Sequence, residues 1–170
     1  DDIRVIFIII VDCLCMMRMV NHHPDAEYRR HITQEASNLY APLAHKLGLY
    51  KIKSELEDLA LKYSDRDTYN LIAQELNATK QYRDEYITAF IAPVKAELEK
   101  AGLKFEIKGR TKSIYSIWNK MKKQQIGVGG IYDLFAVRVI LETEGKDEKS
   151  DCWKAFSIVT NMYPHRSEEH

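Results

Sequence analysis

GRTKSIYSIWNKMKKQQIGVGGIYDLFAVR, residues 109–138, is the stretch whose reading decides the rest of the chain. It opens as a Gly-Arg-x-Lys turn and continues as a helix over about 111–123. A glycine-rich break at Gly127-Val-Gly-Gly130 follows, and then an apolar strand over Ile131 to Leu141, interrupted by one carboxylate, Asp133. Ile114, Ile117, Trp118 and Met121 fall at i, i+3, i+4, i+7, the spacing of a core-facing stripe. Lys112, Ser116 and Lys120 fall at i, i+4, i+8 and line another face, with Arg110 just ahead. A polyphosphate suits that face, and the plain alternative is a solvated helix surface. Asp133 within apolar residues is costly to bury alone. It calls for a cation, either a metal or an ion-pair partner such as a lysine or Arg138, although strand parity sets Asp133 and Arg138 on opposite faces.

Upstream the chain reads as helices. Asp2 to Val20 is apolar on most faces, with Ile3, Phe7, Ile10, Leu14 and Met17 on one stripe, so it belongs inside a bundle. Asp25 to Lys46 should bury Ile32, Ala36, Leu39, Tyr40 and Leu43, with Pro42 kinking or dividing the helix and Gly48 stopping it. A helix over about 51–63 buries Ile52, Leu56, Leu59 and Tyr63. Asp65 and Thr79 are N-caps for helices over about 66–77 and 80–101, and Gly102 ends the second. Tyr and Phe residues across 63–90 read as core. From Leu103 the period changes to two, giving a strand over 103–108. After a polar loop over 142–150, a last helix over 151–162 buries Trp153, Phe156, Val159 and Met162. Strand, helix, strand, helix behind a helical arm implies an α+β or α/β fold.

Composition excludes several classes. With 170 residues, 45% hydrophobic and 29% charged, and a net charge of zero, the chain encodes no global attraction to nucleic acid or membrane. Charge is nonetheless segregated: Lys100 to Gln125 holds eight Lys/Arg against Glu106, and Glu142 to Asp151 holds five acids against two lysines. Three cysteines, Cys13, Cys15 and Cys152, show no paired zinc spacing and read as reduced cytosolic thiols. The longest apolar run, Val5 to Val11, is far below the ~20 residues of a membrane span. A start without Met suggests a fragment, and the polar end after Tyr163 suggests residues foreign to the fold. His22-His23 reads as a solvated loop rather than a metal site, and His45 as a packing or capping residue.

GRTKSIYSIWNKM, IYDLFAVRVI and, upstream, YAPLAHKLGLYKIKSELEDLALKY resemble the long RelA/SpoT homologue enzymes, which make and break the alarmone (p)ppGpp. The resemblance covers about Ile3 to Tyr163. It implies that residues 1–24 are a remnant of an HD-type hydrolase domain, 25–63 connecting helices, and 64–170 the first part of a synthetase domain. The implied fold is α+β, a helical bundle arm followed by a truncated nucleotidyltransferase-like mixed sheet with flanking helices. The implied activity is that of a cytoplasmic bacterial GTP pyrophosphokinase of the stringent response, moving pyrophosphate from ATP to the 3′-hydroxyl of GDP or GTP. The full-length protein would have the ribosome as a further partner, and no membrane is implied.

Residue by residue, Arg110 matches the arginine that packs on adenine, and Lys112, Ser116 and Lys120 match residues that hold the phosphates. Asp133 matches the Mg²⁺ aspartate and Arg138 a strand arginine nearby. Asp133, Lys120 and Arg138 are thus the implied catalytic set, with Mg²⁺ as cofactor. The family's second metal carboxylate and guanine-stacking loop match nothing before Tyr163, so the chain alone is expected to bind ATP without making (p)ppGpp. At the other end, bifunctional members read Asp-Arg-x-His-Asn where this chain reads Asp12-Cys-Leu-Cys-Met16. Only Asp12, the vestigial Mn²⁺ position, survives, so hydrolase activity is expected to be absent. The alternative to an enzyme is a non-catalytic nucleotide- or RNA-binding regulatory module, or a purely structural connector. The compact basic strip, with Tyr115 and Trp118 beside the core stripe, favours a small phosphate-rich ligand over RNA.

Overall fold

The computed structural model describes residues 3–131, 134–143 and 145–163. In chain order these form α1 (Ile3–Met19), α2 (Ala26–Glu35), α3 (Ala41–Lys46), α4 (Tyr50–Ser64), α5 (Arg66–Ala78), α6 (Lys80–Lys100), β1 (Phe105–Thr111), α7 (Ile114–Gln124), β2 (Phe135–Leu141) and α8 (Glu148–Met162). The α+β expectation holds, as a mainly helical chain with a small antiparallel sheet. By packing, the chain divides into two units, Asp1–Ala78 with Lys112–Leu134, and Thr79–Thr111 with Phe135–His170.

The first unit is helical. Ile10, Cys13, Leu14 and Met17 of α1 pack with Ile32, Ala36, Ala41, Ala44, Leu56 and Ala60 in one core. The rest of α1 stays open, with Ile3, Val5, Ile8, Ile9 and Val11 exposed. Pro42 divides its helix as its chemistry requires. A π-turn over Ala36–Tyr40 separates α2 from α3, and the Ala41 N–H reaches back five residues to the Ala36 carbonyl. Pro42 then sits in the first turn of α3, where its missing N–H costs nothing. The wider turn shifts the phase of the apolar face. Leu39, expected inside, is 51% exposed, and the alanines at 36, 41 and 44 take the interior. Asp65 caps α5 as expected, its carboxylate accepting from the Thr68 N–H and hydroxyl. Thr79 occupies the N-cap position of α6 without capping it, because its hydroxyl accepts from Arg83 Nη1 instead.

In the same unit α7 buries the stripe read from the sequence. Ile117 joins Ile72, Val128 and Ile131, with Ile114, Trp118 and Met121 packed around them. Residues 128–130 form a single 3-10 turn.

The second unit is a ribbon on two helices. β1 and β2 pair antiparallel from Phe105 opposite Leu141 to Thr111 opposite Phe135. Phe105, Ile107, Val139 and Leu141 face a core of Val94, Leu98 and Ala155 from α6 and α8. Both strands are displaced from the expected bounds. β1 runs on through Gly109-Arg110-Thr111, so the anticipated turn there is a strand, and β2 starts at Phe135 rather than Ile131. Trp153 and Phe156, expected inside, are 69% and 59% exposed. α8 carries apolar residues on two faces, and the one with Ala155, Ile158, Val159 and Met162 docks. Tyr82 and Tyr86 are likewise exposed rather than core.

Gly109 faces α6, and a Cβ built on it would lie 2.6 Å from Ile87 Cγ2. That methyl sits on a stiff β-branched side chain, so it cannot swing away cheaply. Gly109→Ala should therefore cost ~1–3 kcal/mol by overpacking. Ile87→Ala should offset part of that cost in the double variant, read as a coupling in a denaturation cycle of the four proteins. Purely additive effects would remove the close approach as a constraint.

Candidate functional site

The expected site residues fall on both units. On the ribbon, side chains alternate between the packed face and an open one. Glu106, Lys108 and Arg110 of β1 share the open face with Ala136, Arg138 and Ile140 of β2. Lys108 stands directly opposite Arg138, and Arg110 opposite Ala136, one diagonal step from Arg138. Lys108 Nζ is 2.7 Å from Glu106 Oε1. Among the described residues no side-chain hydrogen bond or ion pair involves Arg110 or Arg138. Placing cations directly across a strand pair is unfavourable for folding, and two guanidinium planes on one open face offer stacking surface and forked donors to an anion. The sequence had set Arg110 in a turn, and the extension of β1 instead brings it to the same face as Arg138.

On the helical unit, Lys112 precedes α7 rather than lying on it. Its backbone N–H donates to the Leu134 carbonyl at 2.9 Å, so the expected three-residue helical row is two residues, Ser116 and Lys120, one turn apart. Ser113 is the N-cap. Its hydroxyl accepts from the Ser116 N–H at 3.3 Å and lies 2.7 Å from the Ser116 hydroxyl. A second cap comes from α4: Asp58 Oδ1 accepts the Tyr115 N–H at 2.8 Å. The N-terminal amides of α7 are thus engaged by the protein, and an anion at this helix would be met by side chains. Burial pushes the Asp58 carboxyl above its ordinary range, with the amides of Tyr115 and Ile114 partly opposing the rise. Nothing local marks Asp58 as a cap, since its partner lies 57 residues away. Lys122 Nζ sits 4.0 Å over the Trp118 ring.

Asp133, the expected metal carboxylate, lies outside the described residues. Among the described residues no group of three or more His, Cys, Asp or Glu is arranged to hold a metal ion. Asp12 is exposed on α1 beside Phe7, Ile8, Val11 and Cys15. Cys13 is buried, and burial, followed by the charges of Glu35 and Asp12, pushes its thiol up to about 11. It is a core thiol without thiolate chemistry at neutral pH. Met16 receives the Tyr28 hydroxyl at its sulfur, 3.5 Å away. His23 stacks on Tyr28 at 4.1 Å, and His45 meets Tyr50 edge-on at 5.6 Å. No helix among the described residues is long and apolar enough to cross a membrane.

Comparison with known proteins matches both ends of the chain. A model of the region found in RelA/SpoT proteins matches residues 109–170, and an HD-domain model matches residues 1–50. A GTP pyrophosphokinase of Photobacterium angustum is 38% identical over 169 residues, 99% of this chain and 22% of that protein. The chain belongs to the RelA/SpoT family. A GTP pyrophosphokinase of Escherichia coli is 36% identical over the same share of both chains. A guanosine-3′,5′-bis(diphosphate) 3′-pyrophosphohydrolase of Aquifex aeolicus is 36% identical over 81% of this chain and 19% of its own length. The RelA/SpoT-region match starts at Gly109, the glycine under Ile87.

The double cap at α7 makes a pH-dependent prediction. The folded Asp58 carboxyl binds its proton at higher pH than the unfolded one. Its contribution therefore favours the fold below the ordinary carboxylate value of about 3.9 and is lost as pH rises through the elevated folded value. Asp58→Asn keeps an acceptor for Tyr115 without a buried charge, so it should match or exceed the parent's stability at pH 7 and flatten the acid side of its stability profile. Asp58→Ala should cost ~0.5–2 kcal/mol, as a lost N-cap does. Denaturant melts from pH 3.5 to 8 read both, and an alanine variant as stable as the parent would contradict the capping role.

Proposed function

We propose that this chain supplies the ATP side of a (p)ppGpp synthetase, an enzyme that transfers pyrophosphate from ATP to the 3′-hydroxyl of GDP or GTP. The observation that carries the reading is the open ribbon face, where Arg110 and Arg138 stand one diagonal step apart and, among the described residues, neither side chain has an ion-pair partner, Glu106 being engaged by Lys108. The GTP pyrophosphokinase names of relatives at 36–38% identity support it. In this reading Arg110 stacks on the adenine, and Lys112, Ser116 and Lys120 take phosphate oxygens, Ser116 exchanging its hydroxyl contact with Ser113 for one to phosphate. Arg138 adds positive charge beside the transferred group. Asp133 is the carboxylate proposed to hold Mg²⁺, which when bound would neutralise charge on the triphosphate. The acceptor hydroxyl attacks the β-phosphorus, its proton is lost to solvent or base, and AMP leaves. The transfer itself, with its acceptor nucleotide, is proposed for the whole protein, since this chain spans 22% of the pyrophosphokinases it matches. A cytoplasmic location is part of the same proposal.

Calorimetry of the chain with Mg²⁺ and ATP tests the assignment. Arg110→Ala should weaken ATP and adenosine alike, by ~3- to 30-fold for a lost guanidinium–ring contact. Lys120→Ala should weaken ATP by ~10- to 100-fold and leave adenosine unchanged. Arg138→Gln should weaken ATP while raising stability by ~0.2–1 kcal/mol, because Lys108 loses a like charge opposite it. Unchanged ATP affinity in all three variants would defeat the reading.

We further propose that α1 performs no alarmone hydrolysis. Cys15 and Met16 stand where the resemblance expects a histidine and an asparagine, and neither a thiol nor a thioether replaces an amide's hydrogen bonds. With Mn²⁺ and ppGpp, the protein should release no pyrophosphate above a protein-free control, and sustained release would overturn this assignment.

A further inference from the structure

A second basic site lies within the helical unit, away from the face of α7 that carries Ser116 and Lys120. A cleft of about 560 Å³ opens between the start of α2 and the junction of α4 with α5, lined on its charged side by Arg29, Arg30, Lys62 and Arg66. Among the described residues no carboxylate lines it. Its volume falls within the ~300–1,000 Å³ of small-molecule sites.

The four cations are held in different ways. Arg29 Nη1 donates to the His23 and Pro24 carbonyls, which fixes the guanidinium plane and directs its remaining donors elsewhere. Lys62 Nζ lies 5.9 and 5.8 Å from the Tyr63 and Tyr69 ring centres. Arg30 has, among the described residues, only a loose contact to Glu27, at 3.8 Å. The Arg66 side chain makes no hydrogen bond or ion pair with another described residue. Four like charges around one concavity repel each other, and a fold built only for stability would interleave carboxylates, as Lys53 with Glu57 and Arg18 with Glu55 do elsewhere in this unit.

The cleft also continues. Thr33, Gln34 and Ser64 are shared with a neighbouring cavity of about 170 Å³ that ends on Tyr115 and Trp118, whose rings lie 5.3 Å apart. One end is cationic, the middle is polar and the far end is aromatic. A ligand with a phosphate group and a ring matches that order.

We propose that this cleft binds a phosphorylated small molecule, with its phosphates among Arg29, Arg30, Lys62 and Arg66, at a site separate from the ATP side of α7. The concave, bounded shape favours a compact ligand over an extended nucleic-acid strand. The test is a calorimetric titration of the chain with pyrophosphate, without Mg²⁺ and at fixed ionic strength. Wild type should bind saturably, and ADP should bind more tightly than pyrophosphate. Arg30→Ala with Arg66→Ala, both exposed and so removable without core damage, should weaken pyrophosphate at least tenfold with an unchanged circular-dichroism melt. In a Lys112→Ala, Lys120→Ala background, which removes the proposed ATP phosphate ligands, saturable pyrophosphate binding at the cleft should persist and the arginine pair should still weaken it at least tenfold. Loss of binding in the lysine pair but not the arginine pair would place the anion on α7 and overturn the proposal. So would the absence of saturable binding, or stronger competition by a single-stranded oligonucleotide than by pyrophosphate at equal phosphate concentration.

Discussion

Asp58 on α4 and the N-terminus of α7 form the contact on which the helical unit is organised. The amide of Tyr115 would otherwise be an unpaired donor beside a core, at a cost of the order of a lost hydrogen bond. The carboxylate that satisfies it accepts burial and an elevated pKa in return. The consequence is spatial. Once the end of α7 is pinned to α4, Ile117 meets Ile72 of α5, and Ser116 and Lys120 are held in a fixed orientation on the same short helix. A basic residue can position a phosphate only if the helix beneath it is itself positioned.

Two smaller constraints work in the same way, by setting phase. Pro42 cannot donate to the helix ladder, and the π-turn before it rotates the following residues, so small alanines enter the core and Leu39 leaves it. On the ribbon, Gly109 lets α6 approach β1, and the strict alternation of the strands then fixes which side chains are open. Arg110 and Arg138 become neighbours as a result of register, though they are far apart in sequence.

The basic cleft at Arg29 and Arg66 and the α7 face belong to one packed unit, and Trp118 and Tyr115 line the cavity joined to the cleft. The helix carrying the proposed phosphate ligands of ATP therefore has its opposite flank on a second concavity. A ligand there would contact the helix whose placement the first site needs, which gives the two sites a physical route to influence one another.

The sequence by itself determined the helix inventory, the capping by Asp65, the apolar stripe of α7, the α+β class and the family, because each depends on short-range periodicity, local hydrogen-bonding chemistry or ordered motifs. It also marked Arg110, Ser116, Lys120 and Arg138 by residue type. What only the tertiary structure decided was long-range. The extension of β1 through Thr111 depends on pairing with β2, and the choice between two apolar faces of α8 depends on where Val94 and Leu98 stand. The second cap on α7 depends on a carboxylate 57 residues away. Local pattern cannot encode these, because pairing register, docking face and distant hydrogen bonds are selected by the total area buried and polar groups satisfied at once, not by any one segment.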